Sequence, residues 1–139
     1  MTFDVERSVG FLLAKAYQQV VSLYKEEFAS YEITPQQFIL LACLWELGSA
    51  SQADLSKKTQ IDRTTIVGIV DRLEEKGLVE RQPHPGDRRV HRIILTISGR
   101  ELEKELCVAA NRVRNKIETR ILPGEYKTLG RLLKRLREC

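Results

Sequence analysis

Arginine is concentrated in one short stretch of this chain, between residues 81 and 92. Four arginines stand there against one acid, which leaves a surplus of three positive charges when both histidines of the stretch are neutral. The arginines are Arg81, Arg88, Arg89 and Arg92, the acid is Asp87, and the histidines are His84 and His91. Guanidinium groups gathered in this way can bind phosphate or enter a narrow minor groove of DNA.

The run Pro85-Gly86-Asp87-Arg88-Arg89 places part of this charge at a turn. Proline and glycine favour a tight connection, and the segments near Leu78–Gln82 and Val90–Leu95 predict a strand on each side. The carboxylate of Asp87 can hold a neighbouring guanidinium through bidentate hydrogen bonds. We therefore expect a two-stranded hairpin with an arginine-rich tip that Asp87 organises.

A helix is predicted just before the hairpin. Asp62 is a favourable N-cap residue, and Lys76-Gly77 ends the helix because glycine accepts the left-handed conformation. Apolar residues at i, i+3, i+4 and i+7 predict its buried side. They are Ile66, Ile69, Val70 and Leu73.

The opposite side of this helix carries small residues that would let it approach another molecule closely. Thr64 and Gly68 lie there, Thr65 and Arg72 flank them, and Arg63 lies in the first turn. Threonine can bond bases or phosphates, and arginine can reach a base edge or a phosphate. Glycine inside a helix costs about 1 kcal/mol relative to alanine, which close approach to DNA would explain. The alternative is that both threonines merely follow a cap and the glycine is neutral.

A shorter helix is predicted to begin at Ser51, with Asp54 as its capping-box partner. A turn near Thr59-Gln60-Ile61 separates it from the next helix. Ser51 and Gln52 are candidates for phosphate contact. Two helices, a turn and a hairpin in this order are typical of a winged helix-turn-helix, with one helix for the major groove and a wing for the backbone or minor groove.

Further helices are predicted on both sides of this unit. One spans residues near 5–29, and another begins at Thr34-Pro35 with proline at its first position. A long helix is capped by Thr96 or by Ser98, and a last helix follows Pro123. The flanking helices carry more apolar surface than a lobe of this size needs, so we expect them to pair with a second copy of the chain.

The predicted fold is therefore mainly α with a small two-stranded β wing. It is one domain over residues 1–139, with a winged helix-turn-helix DNA-binding lobe at 34–96 and dimerisation helices at 1–30 and 98–139. A length of 139 residues and a net charge of +4 permit this interpretation without requiring it. The longest apolar run, Phe38–Trp45, is too short to span a bilayer, and we expect a cytoplasmic protein.

The sequence offers no sign of catalysis or of a cofactor. It contains no Gly-x-Ser-x-Gly, His-Glu-x-x-His or phosphate-binding glycine loop, so we expect neither an enzyme nor a cofactor. Cys43, Cys107 and Cys139 are scattered and odd in number, which excludes a disulfide framework and a Cys-x-x-Cys zinc site. Cys43 lies in an apolar run and is expected in the core.

The chain resembles the MarR family of bacterial transcription regulators over nearly its whole length. The most specific segments are Asp62-Arg63-Thr64-Thr65, Asp71–Val79 and Pro85–Arg89, followed by Leu95-Thr96 and Gly99. The resemblance implies a homodimer on a pseudopalindromic operator of double-stranded DNA. It also implies that Arg89 enters the minor groove with Asp87 bracing it, while Arg88 contacts the backbone or forms a structural ion pair.

The resemblance further implies a repressor that a small aromatic or phenolic acid releases from DNA. Phe11, Lys15, Phe38 and Trp45 could line a pocket for such a ligand, and ordinary core aromatics with a solvated lysine are the alternative. Peroxide-sensing members keep a cysteine in the first helix, where this chain has Leu12 and Leu13. Zinc-responsive members need ligands near the first two helices, whereas both histidines here lie in the wing, so no metal site is expected.

The sequence is also compatible with two other functions. The protein could be a redox-responsive regulator that acts through Cys107 or Cys43. It could also be a winged-helix module that binds another protein, because the fold alone does not fix the partner. Retention of Asp87-Arg88-Arg89 favours DNA.

Overall fold

The computed structural model describes residues 2–138, which form seven α-helices, two short 3₁₀ turns and three strands. The helices are α1 (Val9–Phe28), α2 (Pro35–Leu47), α3 (Gln52–Thr59), α4 (Arg63–Glu75), α5 (Ile97–Glu101), α6 (Glu103–Glu118) and α7 (Glu125–Arg137). The strands are β1 (Ser49–Ser51), β2 (Val79–His84) and β3 (Asp87–Leu95). This mainly helical winged fold is the predicted class, and no helix among the described residues is long and apolar enough to cross a membrane.

The sheet has three strands rather than the predicted two. Its order is β1-β3-β2, antiparallel throughout, and Ala50 of β1 pairs with Ile93 of β3. The sequence of β1 is Ser-Ala-Ser, which carries no strand signal of its own, and the segment becomes a strand only by pairing with β3. The two long strands also extend further than predicted, because only Pro85 and Gly86 remain in the connecting turn.

The helix starts agree with the predicted capping residues. Thr34 and Gln37 form a capping box at α2, and Ser51 and Asp54 form one at α3. At α4 the carboxylate of Asp62 accepts the backbone N–H of Thr65 at 2.8 Å. These bonds satisfy backbone donors that the first helical turn leaves unpaired.

The prediction of one long helix after β3 is wrong, because the helical segment is interrupted at Leu102 and forms two helices, α5 and α6. Thr96 rather than Ser98 is its N-cap, since its hydroxyl accepts the Gly99 N–H at 3.1 Å. The Trp45 indole donates to the Gly99 carbonyl at 2.9 Å, which is the carbonyl that residue 103 would bind in a continuous helix. A Cβ at Gly99 would lie 2.1 Å from the Leu78 carbonyl oxygen, so only glycine permits this close packing.

The chain forms two compact units, one from Phe28 to Cys107 and the other from the segments before and after it. The unit from Phe28 to Cys107, here called the winged unit, has a continuous apolar core that includes the predicted buried side of α4. Its fully buried side chains include Phe28, Leu40, Leu41, Leu44, Leu55, Ile66, Val70, Leu73, Val79, Ile93 and Leu106. Cys43 is buried among them, as predicted.

The second unit, here called the terminal unit, contains most of α1, the last eleven residues of α6, and α7. Ala109 and Val113 of α6 are fully buried. By contrast, much of the apolar face of α1 and the leucines of α7 remain exposed in the single chain. The exposed side chains include Val9, Leu12, Leu13, Tyr17, Leu129, Leu132, Leu133 and Leu136.

A carboxylate joins α1 to α6 in the terminal unit. Glu27 accepts hydrogen bonds from Arg112 Nε at 3.0 Å and from Lys116 Nζ at 3.2 Å. The bond from Arg112 is the main reason that the pKa of Glu27 is lowered. A carboxyl group whose pKa is lower in the folded state stabilises the fold above its unfolded pKa, and this contribution disappears as pH falls through the folded pKa.

We therefore expect Glu27→Gln to lower the Tm by a few degrees at neutral pH and to have much less effect in acid. Wild type and variant should converge as pH falls below about 4, where an ordinary glutamate is protonated. Thermal unfolding of both proteins from pH 7 to pH 3 would measure this. A constant difference in Tm over that range would show that the ion pair does not contribute.

Candidate nucleic-acid interface

A concavity of about 220 Å³ lies between the start of α3, the start of α4 and the wing. The lining residues are Ser51, Gln52, Ala53, Arg63, Val67, Arg89, Val90 and His91. Four of the predicted DNA-contact residues therefore come together here: Ser51, Gln52, Arg63 and Arg89. They belong to four elements of the winged unit, β1, α3, α4 and β3, and the capping of α3 and α4 places the first turns of both helices at this surface.

Arg89 projects from this surface and contacts Asp87. The Asp87 Oδ1 atom accepts the Arg89 backbone N–H at 3.0 Å and the Nε–H at 3.3 Å. Both bonds go to one carboxylate oxygen, so the pair is not the bidentate arrangement that the sequence suggested. The Arg89 side chain is 91% exposed, so its guanidinium is accessible to a partner outside the chain.

Arg81 does not belong with the arginines at the wing tip. Its Nη2 atom lies 2.6 Å from Asp71 Oδ1 and its Nη1 atom lies 3.0 Å from Glu74 Oε1. The same guanidinium donates to the Val67 carbonyl at 3.3 Å, and its side chain is only 18% exposed. Two carboxylates of α4 therefore neutralise Arg81, which fastens the base of β2 to that helix.

Arg92 is also engaged within the winged unit. Its Nη2 atom donates to Ser49 Oγ at 2.5 Å, so this side chain ties β3 to β1. The side chain of Arg88 lies outside the described part of the chain, although its backbone lies in β3. Fewer wing arginines are therefore available to another molecule than their number suggested. Among the side chains that the structure describes, Arg89 is the arginine exposed at the tip of the wing.

The outer face of α4 is open along most of its length. Arg63, Thr64, Gly68 and Arg72 are exposed, and a Cβ at Gly68 would meet no heavy atom within 4 Å. No packing within the described chain therefore requires this glycine.

Thr65 differs from the rest of this face because it serves the cap. It is half-buried, and its hydroxyl donates to Asp62 Oδ2 at 2.9 Å. Hydrogen bonds from Thr65, first from its backbone N–H and then from its side chain, lower the pKa of Asp62. Thr65 thus orders the first turn of α4, and Thr64 presents the more accessible hydroxyl.

Because Arg81 joins β2 to α4, Arg81→Ala is expected to loosen the wing. We expect a stability loss of about 1 kcal/mol, as for ion pairs whose carboxylates are exposed, and a several-fold loss of DNA affinity because the wing is less well positioned. Arg81→Lys should not restore either property fully, since one ammonium cannot reproduce the planar fork. Urea denaturation and amide hydrogen exchange of β2 would measure this, and unchanged exchange in the alanine variant would contradict it.

The chain matches known proteins within the winged unit and over nearly its whole length. The model of the MarR family matches residues 33–91, from the residues before α2 into β3. The HTH-type transcriptional repressor NicR of Pseudomonas putida is 36% identical over 134 residues, which covers 96% of this chain and 85% of NicR.

The chain belongs to the MarR family.

Solved structures of MarR-family regulators have the same fold. One structure concerns regulation of DNA binding of Bordetella bronchiseptica BpsR by 6-hydroxynicotinic acid; it is 29% identical, covers all of this chain and 99% of that one, and has a TM-score of 0.94. A mutant MarR from E. coli complexed with operator DNA is 27% identical, with 92% of each chain covered and a TM-score of 0.85. This MarR-family member is therefore a DNA-binding transcription regulator and not an enzyme.

The residues predicted to line a ligand pocket lie in both units of this MarR-family protein. In the terminal unit the Lys15 Nζ atom lies 5.7 Å from the centroid of the Phe11 ring. In the winged unit Phe38 meets Trp45 edge to face, with ring centroids 6.0 Å apart, and also packs on Phe28. The pocket itself stays a prediction.

The described thiols do not favour a redox switch. Burial raises the pKa of Cys43. Burial also raises the pKa of Cys107, and the negative charge of Glu103 adds to that effect. A raised pKa disfavours the thiolate, which is the reactive form of cysteine. Cys139 lies outside the described residues.

Two features of this interface lie outside the predicted contact residues. His91 lines the concavity, and its two-residue spacing from Arg89 on β3 was the available signal, because alternate residues of a strand share a face. The ion pairs of Arg81 had no comparable signal, since its partners lie on a different element.

Proposed function

We propose that this protein is a homodimeric repressor that binds a pseudopalindromic operator and is released by a small hydroxylated aromatic acid. The observation that carries the proposal is the surface where Ser51, Gln52, Arg63 and Arg89 converge beside the open face of α4. In this arrangement α4 would enter the major groove and Arg89 the minor groove. An operator on the chromosome implies action in the bacterial cytoplasm.

The exposed apolar residues of the terminal unit support the dimer. Leucines at 129, 132, 133 and 136 are each between 39% and 49% exposed in the single chain, and they recur at the spacing of one helical face. A contiguous apolar surface of this kind is typical of a protein interface. Two copies would present two α4 helices, here called the reading helices, to a DNA site with two-fold symmetry.

The relatives support repression and an aromatic-acid effector. NicR is named a transcriptional repressor, and the DNA binding of BpsR is regulated by 6-hydroxynicotinic acid. We therefore expect a ligand of the same class, with an aromatic ring, a carboxylate and a hydroxyl group. A carboxylate would also suit the ammonium group of Lys15, which the sequence suggested as a ligand contact.

Fluorescence anisotropy with labelled DNA from upstream of the protein's own gene tests this function. We expect saturable binding of one dimer per site in excess competitor DNA, with an affinity that falls steeply as salt rises. Adding 6-hydroxynicotinic acid should lower the anisotropy, whereas benzoic acid at the same concentration should do so less. Binding no tighter than to random DNA would contradict an operator in this region, and binding unaffected by the acid would contradict the effector class.

A further inference from the structure

We propose that the concavity between α3, α4 and β3 binds one phosphodiester group of DNA, and that His91 contacts this group together with Arg63. This inference rests on the proposed function and adds to it a residue and a subsite. The ligand chemistry is a singly charged anion with exposed oxygens. Guanidinium and imidazole N–H groups donate to such oxygens, and the side chains of Ser51 and Gln52 can add neutral donors.

The placement of His91 follows from the strand. His91 and Arg89 are two residues apart on β3, and both line the concavity. Across the sheet His91 pairs with Pro83 of β2, so its register is fixed by the hairpin. His91 is exposed, and an incoming phosphate can therefore reach its ring without rearrangement of the core.

The charges around His91 favour an anion. Arg63 faces the concavity from α4 and Arg89 faces it from β3. Three acids on or next to these elements are engaged within the chain: Asp87 bonds Arg89, Asp54 caps α3 and Asp62 caps α4. The positive ends of both helix dipoles add to the attraction, and the surface therefore has more available donors than acceptors.

A phosphodiester fits this surface better than a free phosphate ion does. The concavity is open to solvent, and α4 continues from it with an exposed face that includes Thr64 and Gly68. A ligand that extended beyond the phosphate could follow that face, whereas a small ion would gain only the local contacts. A DNA strand has this extended form, with a phosphate next to bases in the groove.

Binding to a 20-base-pair duplex of random sequence tests the inference without knowledge of the operator. We expect His91→Ala to bind several-fold more weakly at low salt, and the slope of log K against log salt to fall by up to one unit, as for loss of one phosphate contact.

His84→Ala is the matched control, because His84 is the other histidine of the wing and does not line this concavity. It should keep the wild-type affinity and the wild-type salt slope. The double variant Arg63→Ala/His91→Ala should lose less affinity than the sum of the single losses, because residues that share one phosphate are not independent.

The outcomes separate this inference from the proposed function. Wild-type DNA binding whose affinity and salt slope are unchanged by His91→Ala would overturn the role of His91 and leave the regulator intact. Absence of wild-type DNA binding would overturn both. NMR of the His91 ring distinguishes the anion source: a shift with substoichiometric duplex supports a phosphodiester, and saturation by inorganic phosphate with no shift from duplex would overturn it.

Discussion

Arg89→Ala is expected to weaken operator binding by about 100-fold while leaving the protein folded. A well-placed arginine contact contributes about 1–3 kcal/mol, and a dimer would lose the contact in both wings. The Arg89 side chain is 91% exposed and its ion-pair partner in the chain is Asp87, so its removal should scarcely change stability. Anisotropy on operator DNA and thermal unfolding would measure the two properties separately.

Arg100→Ala is the matched control for this prediction. Arg100 is exposed on α5 of the same unit and does not line the concavity, so its removal subtracts the same charge at another place. We expect it to reduce affinity only slightly through the general field. Equal losses in both variants would reduce the role of Arg89 to net charge, and an unchanged affinity in Arg89→Ala would contradict the assignment of the wing.

Asp87→Asn examines the contact that holds Arg89. The amide keeps the size of the side chain and an oxygen acceptor, but it removes the charge that attracts the guanidinium at 3.3 Å. If Asp87 restricts Arg89 to a productive pose, the variant should bind operator DNA less tightly even though the protein becomes more positive. Tighter binding would indicate that Asp87 acts only by repelling phosphate.

Local signals predicted the reading helix well. The cap at Asp62, the buried stripe ending at Leu73 and the glycine at 77 depend on residues within one or two helical turns. The energy of a capping bond or of an apolar stripe is set largely by such neighbours. A reader of the sequence can therefore place the start, the end and the buried side of α4.

Features that depend on distant residues were not predicted. The strand β1 exists because Ala50 pairs with Ile93, and the break at Leu102 lies where Trp45 bonds the Gly99 carbonyl. Arg81 looked like part of a basic cluster until the structure placed it beside two acids of α4. A count of charges gives the total in a segment, but only the fold determines which charges are neutralised.

The arginines of the wing therefore differ in role. Arg81 and Arg92 hold the hairpin in place through bonds within the chain, whereas Arg89 extends from it. Specific recognition benefits from such positioning, because a contact group held in place loses less conformational entropy on binding. Variants of the positioning arginines should therefore change stability and affinity together, whereas Arg89→Ala should change affinity alone.

Leu132→Glu is expected to abolish the proposed dimer at micromolar concentration and to abolish operator binding with it. Leu132 is 45% exposed in the single chain and lies on the same face of α7 as Leu129 and Leu136. If a second copy covers this face, each protomer would bury an unpaired carboxylate, at a cost on the order of 3 kcal/mol or more for each site. Symmetry applies this cost twice, so even a tight dimer should dissociate.

Ile97→Glu is the matched control, because it introduces the same charge at an apolar residue that is 73% exposed on α5 of the winged unit. Light scattering after size-exclusion chromatography should give a monomer for Leu132→Glu and a dimer for Ile97→Glu and wild type. Circular dichroism would establish whether the monomer keeps its helices. A Leu132→Glu protein that remained dimeric would place the interface elsewhere, and a folded monomer that bound the operator with wild-type affinity would show that one reading helix and one wing are sufficient.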